Sequence, residues 1–299
     1  MKEKIQIAVI GYGNVGRSAV EAIRHEPDME LAGIVEKNIE CALAPDIAKL
    51  VVKNISELKK PDVAALCLPS RLIPKVAPDV LRMGIRTVDS FDIHTEILAL
   101  QKSLQIVSEN NETVSIVAAG WDPGIDSMIR GLFLVMAPKG ITHTNYGPGM
   151  SMGHTVAVKD IDGVKNAISI TVPIGMGIHK RMVYVELKDN ADFDQVEQAI
   201  KKDPYFIKDE TYVFHVKDVD KLVDVGHGVK MERSGVSGCT HNQRFSFECR
   251  VNNPALTAQV MVSAARASMK QKPGCYTLLE LPVIDFLHED KDDLIQSLV

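Results

Sequence analysis

Asp92 and Asp122 each stand just past a short apolar run, in Thr87-Val88-Asp89-Ser90-Phe91-Asp92 and Gly120-Trp121-Asp122-Pro123-Gly124. If those runs are strands of a parallel sheet, both carboxylates reach its carboxyl edge, where open α/β sheets bind their ligands. Two carboxylates there can hold a substrate ammonium and accept its proton while hydride departs from the adjoining carbon. A plainer use stands beside this one. Asp before a helix is a favoured N-cap and Pro suits the first helical position, so capping is the better reading of either residue taken singly. The two roles are compatible. Trp121, the only tryptophan, is a core residue by default and a pocket wall by position.

A second group of polar residues lies further along. Thr171 sits two positions before Pro173, Arg181 follows the turn Gly175-Met176-Gly177, and His227 stands between Gly226 and Gly228. Arg offers a bidentate grip on a carboxylate, and Thr and His add donors. A surface Arg, a loop His and a strand Thr explain the same residues equally well. Asn253 before Pro254 reads above all as a helix N-cap. The segment Gly147-Pro148-Gly149-Met150-Ser151-Met152-Gly153-His154 holds too many turn formers for regular structure; it is a simple loop or a backbone wall against a ligand.

The elements that must position these residues begin at Ile5–Ile10, an apolar run that ends in Gly11-Tyr12-Gly13-Asn14-Val15-Gly16. Strand, glycine loop and helical spacing (Val15, Ala19, Ala22, Ile23) in that order are the context in which G-x-G-x-x-G binds a dinucleotide. Gly11 permits the turn, Gly13 lets a pyrophosphate approach the backbone, and Gly16 lets helix and strand pack. The helix N-terminus turns free N–H groups toward the phosphates. Glu36 closes the second strand 20 positions after Gly16; an acid there accepts from the ribose 2′-OH and favours NAD. Lys37 and the pair Ser70-Arg71 are placed to meet a 2′-phosphate, or are solvated surface charges. The choice between NAD and NADP stays open on these residues.

Strands at 31–35, 63–68, 87–89 and 114–118, with a helix over 93–105, continue the alternation and imply a Rossmann-type, doubly wound parallel sheet of the α/β class. After about Met136 the pattern changes to strands at 141–146, 168–172, 181–187, 212–216 and 245–251, with one clear helix at 193–201. That is a second, mostly antiparallel α+β domain. A helical run from Asn253-Pro254 to about Met269 and an apolar stretch at 276–286 are expected to return to the first domain. The expected division is 1–120 with 254–299, and 121–253.

With 299 residues, 45% hydrophobic and 24% charged, the chain suits about two ordinary globular domains. A net charge of −5 gives no general attraction for nucleic acid or anionic membrane. Cys41, Cys67, Cys239, Cys249 and Cys275 never form a C-x-x-C pair, which argues for reduced thiols and against a zinc site or disulfide framework. Lacking a membrane-length apolar run or a signal-peptide pattern, the chain is expected to be cytoplasmic.

Taken together, Gly11–Gly16, Asp89-Ser90-Phe91-Asp92-Ile93-His94, Gly120–Gly124, Gly147–His154, Gly226-His227-Gly228, Thr240-His241-Asn242-Gln243 and Asn252-Asn253-Pro254-Ala255 carry a family likeness. The chain resembles meso-diaminopimelate D-dehydrogenase over essentially its whole length. The resemblance implies an enzyme of lysine biosynthesis that reversibly deaminates the D-centre of meso-2,6-diaminopimelate, giving L-2-amino-6-oxopimelate, ammonia and NADPH. It implies that Asp92 and Asp122 hold the D-centre amino group, with Trp121 and the Met152-Gly153 backbone shaping that end. Thr171, Arg181 and His227 would clamp the distal L-carboxylate, with Asn253 near the L-centre. Leu68, Pro69, Ser70 and Ser90 would line NADP, and the second domain would bind substrate and form a homodimer. Two positions depart from the pattern: Glu36-Lys37 stands where similar enzymes carry paired arginines, and Tyr146 where some carry Phe. A broad D-amino-acid dehydrogenase on the same fold and a non-catalytic nucleotide-sensing protein are the competing readings.

Overall fold

The structure, a computed structural model, describes residues 3–37, 45–59, 61–222 and 227–299, and for Met152, Gly153 and His227 the backbone alone. Cys41 lies outside the described residues. The chain folds as two compact units, 1–131 with 254–299, and 132–253.

In the first unit, strands β1 (Ile5–Ile10), β2 (Met29–Val35), β3 (Val51–Val52), β4 (Val63–Leu66), β5 (Arg86–Asp89) and β6 (Val114–Ile116) alternate with helices α1 (Asn14–His25), α2 (Pro45–Ala48), α3 (Ile73–Arg82) and α4 (Ile97–Asn110). All pair in parallel, in the order β6-β5-β4-β1-β2-β3, and the late strand Gly274–Tyr276 adds to β6. Parallel strands covered on both faces are apolar throughout. In β1 the alternation sorts the two layers. Ile7 and Val9 pack with Ala19, Val20 and Ile23 of α1, while Ala8 and Ile10 face Ala77, Val80 and Leu81 of α3 and Leu100 and Leu104 of α4. The register matters most for function. Ile10, Leu66 and Asp89 are neighbours across β1, β4 and β5, so the chain leaves all three strands at one edge, at Gly11, Cys67 and Ser90.

Helix α5 (Ile125–Met136) follows β6. The second unit then holds β7 (Lys139–Tyr146), β8 (Gly149–Met150), α6 (Met152–Lys159), β9 (Val164–Gly175), β10 (Ile178–Leu187), α7 (Phe193–Lys202), β11 (Glu210–His215), β12 (His227–Ser237) and β13 (Thr240–Val251). One sheet runs β11-β10-β9-β8 and another β13-β12-β7. Every pairing is antiparallel except β10 with β11, which α7 joins as a parallel crossover. Val158 of α6 and Val196 and Ile200 of α7 cover one face of the larger sheet, against Ala167, Val183 and Val185.

Two elements here depart from the sequence reading. The turn-rich segment 147–154 does not stay irregular: β8 and the start of α6 lie within it. Strand β12 escapes the pattern because its inward face carries Val229, Met231 and then Arg233, whose buried guanidinium donates to the Ala137 carbonyl at 2.7 Å and to Thr142 Oγ1 at 2.8 Å. A satisfied buried cation occupies a position where an apolar residue would have announced the strand.

Helix α8 (Asn253–Ser268) returns the chain to the first unit, and Ala258, Met261, Val262, Ala264 and Ala265 join the core beneath β1. Arg266, buried on the same helix, grips Asp28 with two bonds of 2.7 Å and pairs with Glu26 at 2.5 Å. Its hydrogen bond and charge hold the Asp28 carboxyl below its ordinary range. Among the described residues, no helix is long and apolar enough to cross a membrane.

Candidate active site

The glycine loop meets three steric demands. Gly11 has φ +94°, and a Cβ there would lie 2.4 Å from the Cys67 carbonyl oxygen. A Cβ on Gly16 would lie 2.0 Å from the Gly11 carbonyl oxygen, so α1 could not sit so close to the loop. Above Gly13, among the described residues, nothing lies within 4 Å of an added Cβ. Gly13 is also the N-cap of α1 and brings no side chain to cap that end, so the first helical N–H groups around Asn14, Val15 and Gly16 face a region where an anion is favoured. The cradle fits a pyrophosphate. At the end of β2, Glu36 Oε2 accepts the Tyr12 N–H at 2.9 Å, so the acid that would meet a ribose also braces the loop. Lys37 and Arg71 are exposed.

On the next strand ends, Leu68 and Pro69 lead into a short turn at Ser70–Leu72. Ser70 Oγ donates to Asp92 Oδ1 at 2.5 Å and accepts the Asp92 N–H at 3.1 Å. Asp92 therefore does not cap a helix. Helix α4 begins only at Ile97, with Glu96 as its N-cap, and the Asp92 carboxylate stays exposed on the carboxyl edge of the sheet. Ser90 lies beside the other acidic loop, its Cβ 3.4 Å from where a Gly120 Cβ would stand.

Asp89 joins the two loops. It is fully buried at the end of β5; Oδ1 accepts the N–H of Phe91 at 2.9 Å and of Ala118 at 3.3 Å, and its carbonyl accepts the Ala119 N–H at 2.7 Å. The bond to Ala118 holds a non-glycine residue at φ +55°, which ends β6 two residues before the expected boundary. Burial pushes the Asp89 carboxyl up to about 7, against the lowering effect of those two N–H groups. A carboxyl raised in the folded state stabilises the fold fully below its unfolded value near 3.8, and that contribution is lost as pH rises through about 7. Asp89→Asn removes this ionisation while keeping an acceptor. Its Tm relative to wild type is expected to be higher at pH 8 than at pH 5 in thermal melts; parallel Tm curves for the two proteins across that range would refute the assignment.

Asp122 lies at the end of the same loop system, its side chain 19% exposed and 3.9 Å from His94 Nε2. It hydrogen-bonds to Asp126, four residues on in α5 and almost fully buried. Burial, then the hydrogen bond and charge of Asp122, push Asp126 up to about 7, although Arg130 Nη1 sits 2.6 Å from Asp126 Oδ2. Two carboxyl groups in contact share a proton more readily than they carry two charges, and burial favours the neutral form at Asp126. Trp121 is buried in the first unit, its carbonyl accepting the Asp126 N–H at 3.1 Å. Asp126, Arg130 and Asp89 were not singled out from the sequence. The i, i+4 spacing of Asp126 and Arg130 is the signal that pairs them once α5 is known.

In the second unit Thr171 of β9 stands opposite Arg181 of β10. Arg181 Nη1 donates to Thr171 Oγ1, and Nε donates to Asp209 Oδ2 at 2.6 Å. Two histidines flank the guanidinium. His179 Nε2 accepts the Tyr146 N–H at 2.8 Å, and His154 bridges Ser151 Oγ at 2.8 Å and the Tyr205 carbonyl at 3.0 Å. Burial first, and then the Arg181 charge, lowers both rings below their ordinary value, so the guanidinium is the cation of this cluster. Met152 and Gly153 form the first turn of α6, His227 opens β12 opposite Val251, and Asn253 opens α8. The side chains of Met152 and His227 lie outside the described set. Among the described residues no cluster of His, Cys, Asp and Glu could hold a metal ion.

Two family profiles match successive parts of the chain. The family profile "Diaminopimelic acid dehydrogenase C-terminal domain" matches residues 120–253, and "Oxidoreductase family, NAD-binding Rossmann fold" matches residues 5–116. A meso-diaminopimelate D-dehydrogenase of Bacteroides fragilis is 56% identical, covering 99% of this chain and 100% of the relative. The Corynebacterium glutamicum diaminopimelate dehydrogenase solved in complex with DAP superposes with a TM-score of 0.84 at 28% identity, covering 99% of each chain. An engineered D-amino acid dehydrogenase bound to NADP+ superposes with a TM-score of 0.79 at 28% identity, covering 99% of this chain and 100% of the other. With identity above half across both full lengths and the two-domain architecture in common, the chain belongs to the meso-diaminopimelate D-dehydrogenase family of oxidoreductases.

Proposed function

We propose that this oxidoreductase catalyses the reversible oxidative deamination of the D-centre of meso-2,6-diaminopimelate to L-2-amino-6-oxopimelate and ammonia, with NADP as the hydride acceptor. The observation that carries this reading is the placement of Asp92 and Asp122 beyond adjacent strands β5 and β6, on the edge that also holds the glycine cradle. A bound nicotinamide supplies the site that takes the hydride. Asp92 and Asp122 hold the D-centre ammonium and take its proton, so that the nitrogen lone pair drives hydride from the carbon. The resulting iminium adds water and releases ammonia. Trp121 and the Met152-Gly153 backbone shape that end.

The second unit reads the distal head. Thr171, Arg181 and His227 bind the L-carboxylate, and Asn253 lies near the L-centre. Gly11, Gly13, Asn14, Val15 and Gly16 receive the pyrophosphate, and Leu68, Pro69, Ser70 and Ser90 line the remainder of the cofactor. The engagement of Glu36 with the Tyr12 N–H supports NADP: the acid is occupied locally, and Lys37 and Arg71 are exposed for a 2′-phosphate. The working assembly is a homodimer in the cytoplasm.

Absorbance at 340 nm with diaminopimelate and either NADP or NAD tests the reading. Reduction of NADP is expected, with kcat/KM at least about tenfold above that for NAD, a difference of about 1.4 kcal/mol. No reduction of either nucleotide would sink the activity, and a preference for NAD would sink the choice of cofactor.

A further inference from the structure

Strand β10 carries two consecutive cations, Lys180 and Arg181, and β11 enters with two consecutive acids, Asp209 and Glu210. The two pairs they form are not equivalent. Lys180 and Glu210 meet at 2.9 Å with side chains 35% and 53% exposed, a surface pair of small consequence. Arg181 and Asp209 meet at 2.6 Å with side chains only 13% and 24% exposed, inside the cluster that also holds Thr171, His154 and His179.

The Arg181–Asp209 bond uses Nε of the guanidinium and Oδ2 of the carboxylate. Among the described residues Asp209 Oδ1 has no hydrogen-bond or ionic partner, and Arg181 keeps Nη2 for a further acceptor. The cluster thus presents one cation, one anion and two uncharged rings. A bare carboxylate bound there leaves the Asp209 charge facing like charge. An amino-acid head, carboxylate and ammonium on one carbon, leaves neither protein charge unmatched. We infer that Asp209 reads the distal ammonium of the substrate, so that Arg181 and Asp209 together recognise an entire amino-acid head and select diaminopimelate over acids that lack the second amine. The inference rests on the diaminopimelate reading above and adds a specificity-determining residue to it.

The test compares meso-diaminopimelate with D-2-aminopimelate, which lacks only the distal amino group, in the full-length wild type and in Asp209→Asn. Wild type is expected to favour diaminopimelate at least about tenfold in kcat/KM. In Asp209→Asn that preference should fall about tenfold or more, through a higher KM for diaminopimelate and a KM for D-2-aminopimelate that does not rise, with the KM for NADP unchanged. Equal losses on both substrates would reduce Asp209 to a brace for Arg181 and overturn the inference, as would no change on either. The wild-type comparison stands even if the variant fails to fold: a wild type that uses both substrates equally well refutes the ammonium contact. A wild type that oxidises diaminopimelate but discriminates by another route loses only this inference, whereas one that oxidises neither substrate loses the activity as well.

Discussion

Asp122→Asn is expected to lower kcat for diaminopimelate by at least about 100-fold, the usual scale for removing a proton acceptor from the reacting group. The side chain keeps its shape and can still hydrogen-bond to Asp126, so the fold should survive; what it loses is the carboxylate proposed to hold an ammonium and accept its proton. Asp92→Asn should have a smaller effect, because Asp92 is exposed and already accepts from Ser70 Oγ. Steady-state rates at 340 nm with the cofactor saturating decide the matter, and a kcat within about threefold of wild type would remove Asp122 from the chemistry. The pH profile adds a second readout. Asp126 loses its proton as pH rises through about 7, placing a second negative charge against Asp122. An inflection near that pH in wild type should therefore vanish in Asp126→Asn, which stays neutral throughout.

Arg181→Ala is expected to raise the KM for diaminopimelate by about 100-fold while leaving the KM for NADP unchanged. Removing one partner of a buried, hydrogen-bonded charge pair commonly costs about 2–5 kcal/mol, and here two penalties coincide. The substrate carboxylate loses its guanidinium donor, and Asp209, which bonds Nε at 2.6 Å, is left as an anion facing an anion. Thr171 loses its bond as well. Arg181→Lys should recover only part of the loss, since an ammonium cannot donate to Asp209, Thr171 and a carboxylate in the planar arrangement of a guanidinium. Initial-rate measurements with each substrate varied in turn will show the split, and equal rises in both KM values would defeat the clamp.

The residues behind these two predictions differ in how far the sequence revealed them. The dinucleotide cradle was legible because every requirement falls within a few positions: an apolar strand, glycines at 11, 13 and 16, then helical spacing. Asp92 and Asp122 were visible as acids beyond two strands, but the same pattern described helix caps. Only the late start of α4 at Ile97 and the bond from Ser70 separate the two uses for Asp92. Strand β12 was missed because a charged residue in its inward row breaks the alternation that marks a strand, and the partners that make Arg233 tolerable, Ala137 and Thr142, come from about ninety residues away in the chain.

What the sequence by itself determined, then, is whatever depends on neighbours along the chain: the parallel α/β unit, its glycine loop, and the placing of acids after strands. Steric freedom at a glycine and the period of apolar residues are local properties, and they survive being read one residue at a time. The tertiary structure decided the chemistry those residues can do. The Asp126 carboxyl is pushed up because burial and Asp122 meet at one point, Asp89 ties two loops because β5 and β6 end side by side, and Arg181 gains an anion from a segment 28 residues on. Charge, protonation and specificity are set by dielectric surroundings and by partners remote in sequence, and those exist only once the chain has packed.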